Sequence, residues 1–216
     1  MTRLILIRHG QTEWNRVERF RGMADLALDE VGIRQAEATA ERVMEWPVAA
    51  VYTSPLKRAI ASAGIIARRF GLQPEVHPGL IDINFGEWEG LSPKEAAVKD
   101  PKLWSTWVHS PHLARFPGGE ALGDVTERAS AVVDEVVGKH EGGTVAMVSH
   151  RVVCHLLVLH LLGLDESRFW HVTQDVSTVN VFEHNEMGWF VVALNDTCHL
   201  KGLKTHQSGV YKGDSL

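Results

Sequence analysis

The chain opens with an unbroken apolar run, Leu4 to Ile7, that stops abruptly at Arg8-His9-Gly10. A strand buried on both faces has this pattern when its C-terminal end opens into a loop. From about Asp29 to Glu45 the pattern turns helical, with Val31, Ala36, Ala40, Val43 and Met44 on one stripe, and Pro47 stops it. Ala49-Ala50-Val51-Tyr52 predicts a second buried strand, closed by Thr53-Ser54-Pro55. Ser54 is the expected N-cap, and Pro55 the first turn, of a helix that runs to about Phe70 and ends at Gly71. After Gly118-Gly119, another stripe (Leu122, Val125, Ala129, Val132, Val136) predicts a further helix. Thr144 to Ser149 reads as a third buried strand, with His150 at its C-terminal end and an apolar helix from Val152 to Leu162 behind it. Val176 to Phe182 and Trp189 to Leu194 read as a hairpin or paired strands around Asn185-Glu186-Met187-Gly188.

Strands apolar on both faces and alternating with helices predict an α/β fold: a three-layer sandwich with a mostly parallel sheet and helices on both faces. The 216 residues suit a single domain, residues 1–216, whose core is large enough to need no disulfide or metal staple. Four of the eight prolines fall between Pro93 and Pro117, together with Trp104 and Trp107. That stretch reads either as a cap-like insertion at about 91–118, over one end of the sheet, or as a surface excursion whose tryptophans pack downward.

Composition narrows the possible partners. The formal net charge of −5 argues against a nucleic-acid binder, which carries a basic surplus for the phosphate backbone. No stretch approaches the roughly 20 apolar residues of a membrane span, and the N-terminus lacks the features of a signal peptide. Cys154 and Cys198 form no CxxC pair and are expected to be reduced, buried side chains, so the expected location is cytoplasmic. A homodimer is the commonest assembly for such a chain.

All three predicted buried strands end in ionisable residues: Arg8-His9, Ser54 through Arg58, and Ser149-His150. Ligands of open α/β sheets bind beyond the C-terminal strand ends. If the three strands are neighbours, two arginines and two histidines converge there, and such a cluster repels itself unless an anion of about two negative charges sits within it. A phosphoryl group meets that need. The other histidines read as structural or solvated. His150, His155 and His160 lie five apart and so share no helix face as metal ligands would.

Arg8-His9-Gly10-Gln11-Thr12-Glu13-Trp14-Asn15 resembles the signature of the histidine phosphatase superfamily, in its phosphoglycerate-mutase-like branch. Ser54-Pro55-Leu56-Lys57-Arg58-Ala59, Ile83 through Gly90, and Val148-Ser149-His150 resemble the family's later motifs, in the family's order. The resemblance implies that His9 is a nucleophile forming a phosphohistidine, without metal or other cofactor. It implies a phosphate cradle of Arg8, Arg58, Asn15, a protonated His150 and backbone amides that include that of Arg151. Read alone, Asn15 fits an Asx turn about as well.

The family's proton donor is a glutamate ahead of the glycine-tryptophan motif. Here that position is Asp82, whose carboxyl reaches roughly 1.5 Å less far; Glu13 and Glu87 are the alternatives. The chain is similar to metal-independent phosphoserine phosphatases around Trp107–Glu120 and in the C-terminal stretch through His199, which makes Glu120 and His199 candidate substrate contacts. Phe85 stands where those enzymes carry a histidine, and it cannot hydrogen-bond a serine carboxylate or amine. The expected activity is hydrolysis of a small phosphorylated metabolite: phosphoserine, a sugar phosphate or an α-ribazole-like phosphate. A phosphoglycerate mutase and a non-catalytic phosphate-binding protein on the same fold are the alternatives.

Overall fold

In a computed structural model, residues 1–203 are described. The sheet is built from β1 (Thr2–Arg8), β2 (Val48–Thr53), β3 (Glu75–Val76), β4 (Thr144–Ser149), β5 (Val179–Asn185) and β6 (Gly188–Asp196), in the order β3-β2-β4-β1-β5-β6. β3, β2, β4 and β1 run parallel, and β5 and β6 join antiparallel as a hairpin. The mostly parallel sheet is as expected; the short edge strand β3 has no counterpart in the hydrophobic pattern, because two exposed residues carry no periodicity.

Alternation along β1 assigns its side chains to two cores. Ile5 and Ile7, with Ala146, Val148, Val179 and Val181, pack against α2 (Glu30–Val43) and α3 (Lys57–Arg68). Leu4 and Leu6, with Val145, Met147 and Phe182, face α6 (Leu122–Lys139) and α7 (Arg151–Leu161). The result is a helix–sheet–helix sandwich. Short α1 (Glu13–Arg16) follows β1, while α4 (Pro93–Lys99) and α5 (Pro101–His109) occupy the proline-rich stretch. There Trp104 and Trp107 are buried in the larger core, and Trp107 meets the edges of Phe85, Phe116 and Trp170. The tryptophans therefore pack downward.

Register brings the strand ends together. Arg8 pairs with Ser149 and Thr53 with Val148, so the chain leaves β1, β4 and β2 at one level. The His9 amide donates to the Ser149 carbonyl (3.0 Å) and the Ser54 amide to the Val148 carbonyl (3.1 Å). The loop after His9 then runs against the start of α2, where Gly10 and Gly32 approach so closely that a Cβ on either would collide with the other segment's backbone. Two local expectations are corrected. α3 begins at Lys57 with Leu56 as its N-cap; Ser54 lies two residues earlier, where its Oγ accepts from the Leu56 amide (3.3 Å) and also meets His150 Nε2 (2.6 Å). β5 begins at Val179, not Val176, because Ser177 adopts φ 54° and its amide donates to the His9 carbonyl (3.2 Å).

Candidate active site

His9, Arg8, Arg58, His150 and Asp82 are all buried beyond the C-terminal ends of β1, β4 and β2. The His9 and His150 rings stand 5.2 Å apart between centroids, tilted by 58°. His9 Nδ1 lies 2.6 Å from the Gly10 carbonyl. A carbonyl only accepts, so Nδ1 carries the proton and Nε2 is left with its lone pair. Burial first, then the charges of Arg58 and Arg8, push the His9 pKa well below the ordinary histidine range. The ring is therefore neutral near pH 7, with Nε2 unprotonated.

Arg58 is the hub of the site. Its Nε donates to His150 Nδ1 (3.2 Å), Nη1 to the Ala24 carbonyl (2.6 Å), and Nη2 to both the Gly22 carbonyl (2.9 Å) and Asp82 Oδ2 (3.2 Å). Because His150 Nδ1 accepts from a guanidinium, its proton sits on Nε2, which faces Ser54 Oγ at 2.6 Å. Burial and the Arg58 charge hold the His150 pKa well below its ordinary value. Without an anion in the site this imidazole is therefore neutral, since two buried cations in contact are too costly; the protonated His150 expected from sequence refers to a site that holds a phosphoryl group. Arg8 Nη1 is anchored on the Gln174 carbonyl, and Gln174 is in turn paired with Asn180.

Asp82 Oδ1 accepts from the Ile83 amide (3.0 Å), and Oδ2 lies 3.2 Å from Arg58 Nη2 and 3.7 Å from His150 Nδ1. Burial pushes its carboxyl above the ordinary aspartate value, overriding the opposing pull of Arg58 and Arg21. The two alternatives stand elsewhere: Glu13 is exposed and paired with Arg16, and Glu87 is exposed and paired with Lys99.

The remaining candidates divide. Arg151 begins α7 directly after His150, stacks its guanidinium over Trp170, and bears electrostatically on Arg8. Asn15 turns its Oδ1 back onto the amide (2.9 Å) and hydroxyl (2.8 Å) of Thr12, a capping-box contact at the start of α1 and not the Asx turn considered from sequence. Glu120 is not presented as a substrate contact. It clamps Arg128 (2.8 Å) and the Asn84 amide (2.8 Å), while Arg128 also donates to the carbonyls of Gly79, Ile81 and Asp82. This pair buckles the backbone that carries Asp82. Phe85 is buried edge-on against Phe20 and Phe116. His199 is directed away, its Nε2 between Thr39 Oγ1 (3.1 Å) and the Ser177 carbonyl (3.0 Å). Cys154 is buried as expected, but Cys198 is exposed, its thiol on Asp196, because it begins a one-turn helix on the surface.

Sequence reading missed Arg21. Its charge acts on His9, His150, Arg8 and Asp82. An arginine following Arg16 and Arg19 in a loop reads as a solvated charge. The signal that could have found it is the adjacent Gly22, at φ 48°, where only glycine turns the chain this way without strain.

A neutral imidazole with a free ring nitrogen, surrounded by guanidinium groups and faced by a buried carboxyl, defines an α/β enzyme of phosphoryl transfer. The profile of the histidine phosphatase superfamily (branch 1) matches residues 4–197, and the chain belongs to that family. It is 36% identical over 200 residues to phosphoserine phosphatase 1 of Hydrogenobacter thermophilus, covering 93% of this chain and 95% of that protein. It is 34% identical to the metal-independent phosphoserine phosphatase of Arabidopsis thaliana, over 100% of this chain and 90% of that one. The phosphoserine phosphatase of Entamoeba histolytica, solved with 3-phosphoglyceric acid, superposes with a TM-score of 0.84 at 26% identity, covering 93% and 100% of the two chains. The chain is a phosphatase of small phosphorylated metabolites. No helix among the described residues is long and apolar enough to cross a membrane.

Proposed function

We propose that the chain hydrolyses phosphomonoesters in two steps through a phosphohistidine on His9, with Asp82 as the proton donor and no metal. The observation that carries this reading is the 2.6 Å contact from His9 Nδ1 to the Gly10 carbonyl, which leaves Nε2 as the attacking atom. In the first step, His9 Nε2 forms a bond to phosphorus, the ester P–O bond breaks, and the leaving alkoxide takes the Asp82 proton. In the second, Asp82, now ionised, accepts a proton from the water that attacks the phosphohistidine; phosphate leaves and the ring is free again.

Arg8 and Arg58 stabilise the charge of the equatorial oxygens, and guanidinium forks are suited to that geometry. The dianion also changes its surroundings. Arg58 Nη2 cannot fully serve both Asp82 Oδ2 and a phosphoryl oxygen, so binding weakens the Arg58–Asp82 pair and adds negative charge beside the carboxyl. Both effects raise the Asp82 pKa further, which holds the proton in place until the leaving oxygen needs it. The same dianion favours a second proton on His150, the state expected from sequence for the occupied site. The Arg151 amide at the start of α7, the free amide nitrogen of Asn15, and the segment at 91–118 as a wall over the leaving group complete the reading. The reduced state expected of Cys154 and Cys198 supports a cytoplasmic location.

The experiment is product partitioning. With ethylene glycol present, a common phosphoenzyme gives the same ratio of phosphoglycol to inorganic phosphate from p-nitrophenyl phosphate and from an alkyl phosphate. A ratio that changes with the leaving group contradicts a shared intermediate.

A further inference from the structure

Ser54 is fully buried beside the site, and its hydroxyl is unused by the mechanism above. It directly follows β2, as His150 directly follows β4, and the two strands are parallel neighbours in which Thr53 pairs with Val148. That register sets Ser54 Oγ 2.6 Å from His150 Nε2. The backbone behind the contact is fixed at both residues. The Ser54 amide donates to the Val148 carbonyl (3.1 Å), and the His150 carbonyl accepts from the Cys154 amide (2.8 Å) in the first turn of α7. Ser54 Oγ also accepts from the Leu56 amide (3.3 Å).

The other edge of the His150 ring meets the reacting groups. Arg58 reaches Nδ1 from α3 (3.2 Å), Asp82 Oδ2 lies 3.7 Å from Nδ1, and the His9 ring stands 5.2 Å away on the loop after β1. The Arg8 and Arg21 charges bear on His150 as well. All of these but Asp82 are cations or can become so. A second proton on the ring therefore needs a bound dianion and an acceptor for each ring N–H. At Nε2 the acceptor is the Ser54 hydroxyl, and its chemistry matters. A carboxylate there would hold the ring charged with the site empty. An apolar group would leave a buried imidazolium N–H unpaired, a cost that opposes charging even beside a dianion. A neutral hydroxyl does neither, so the charge follows the anion.

We propose that Ser54 is a positioning residue that acts through His150: its Oγ holds the Nε2–H, which turns Nδ1 toward the bound phosphoryl group and lets the ring take a second proton there only while that group is present. The inference rests on the phosphatase reading and deepens it. One proton is taken from solvent on binding and forms the Nδ1–H bond. Arg58 Nε, which donated to that nitrogen in the empty site, is released to donate to the same phosphoryl group, so one guanidinium and one imidazolium N–H face it together. When phosphate leaves, the proton returns to solvent and the neutral pair re-forms.

Nitrogen-15 NMR of histidine-labelled protein reads the ring directly, with His150 assigned by its loss in His150→Gln. In the native protein without ligand, His150 is expected with Nε2 protonated and Nδ1 bare; with saturating inorganic phosphate near neutral pH, both nitrogens are expected to be protonated. Ser54→Ala removes an acceptor that favours the charged ring. It is expected to lower, by about one pH unit or more, the pH at which His150 loses its second proton in the phosphate complex. For p-nitrophenyl phosphate, kcat/KM is expected to fall roughly tenfold to a hundredfold at mildly alkaline pH and by less at mildly acidic pH. Loss of the Leu56 contact in the same variant is a structural effect and carries no such pH dependence. Ser54→Thr, which keeps the hydroxyl, is expected to restore most of the native pH profile. A ring that stays neutral in the native phosphate complex, or a loss in Ser54→Ala that is the same at every pH, would overturn the assignment. The native spectra decide even if a variant fails to fold. Failure of the phosphatase reading is recognised separately, as no turnover of p-nitrophenyl phosphate by the native protein.

Discussion

Alanine in place of His9 is expected to lower kcat/KM for every phosphomonoester by on the order of 10⁴-fold or more, with little change in fold. The size follows from the role: without an attacking atom, the two-step route is lost entirely, and only binding and electrostatic stabilisation remain to assist water. The structure favours a folded variant because His9 lies in the loop after β1, where its backbone amide and carbonyl make the contacts that fix the chain, to Ser149 and Ser177. Those survive truncation of the ring. Steady-state hydrolysis of p-nitrophenyl phosphate, beside a circular dichroism spectrum, checks both parts. A loss confined to KM would mean that the ring binds substrate and does not attack it.

The second large effect is expected at Asp82 and depends on the leaving group. Asp82→Asn is expected to slow hydrolysis of alkyl phosphates by roughly 10²- to 10⁴-fold, the usual scale of general acid catalysis. It is expected to lower kcat/KM for p-nitrophenyl phosphate far less, since a nitrophenolate departs without a proton and the base step that Asp82 also serves follows the release of the phenolate. The pH dependence carries the same information. The acid works when protonated, so kcat/KM for an alkyl ester falls as pH rises through the Asp82 pKa. Burial holds that pKa above the ordinary aspartate value, so activity persists to higher pH than an exposed aspartate would allow. In Asp82→Asn that limb disappears. On the acid side, the depressed His9 pKa keeps the nucleophile unprotonated at pH values where an ordinary histidine is already charged. Equal losses of kcat/KM, which reports only the first step, on both kinds of ester would show that Asp82 orders the site and does not donate the proton.

Much of this site was readable from the sequence because parallel strands impose strong constraints. Apolar runs of this kind have few alternatives to a central strand, and an ionisable group ends or directly follows β1 and β4, while after β2 it comes five residues on, at Arg58. Once β1, β4 and β2 are adjacent in register, Arg8, His9, Arg58 and His150 have to meet. Charge state was less readable. His150 is neutral here because Arg58 occupies its Nδ1, a contact made across 92 residues that no local pattern records. Ser-Pro suggests Ser54 as the helix cap; in the fold the helix starts two residues later than that, and Ser54 Oγ meets His150 Nε2 while accepting from the Leu56 amide. Glu120 and His199 were drawn toward the substrate by resemblance. In the fold, the first buckles the Asp82 backbone through Arg128, and the second is held by Thr39 and the Ser177 carbonyl, away from the pocket. Arg21 was invisible because inward or outward direction in a loop depends on one backbone dihedral, at Gly22.

Rapid acid-free quenching during turnover of a ³²P-labelled phosphomonoester tests the phosphohistidine most directly. Label is expected on the protein, stable to base and labile to acid as a phosphoramidate is, mapping to the peptide that holds His9 and absent from His9→Ala. Base-labile label, label on another residue, or release of phosphate in a single turnover with no labelled protein at any quench time would contradict it.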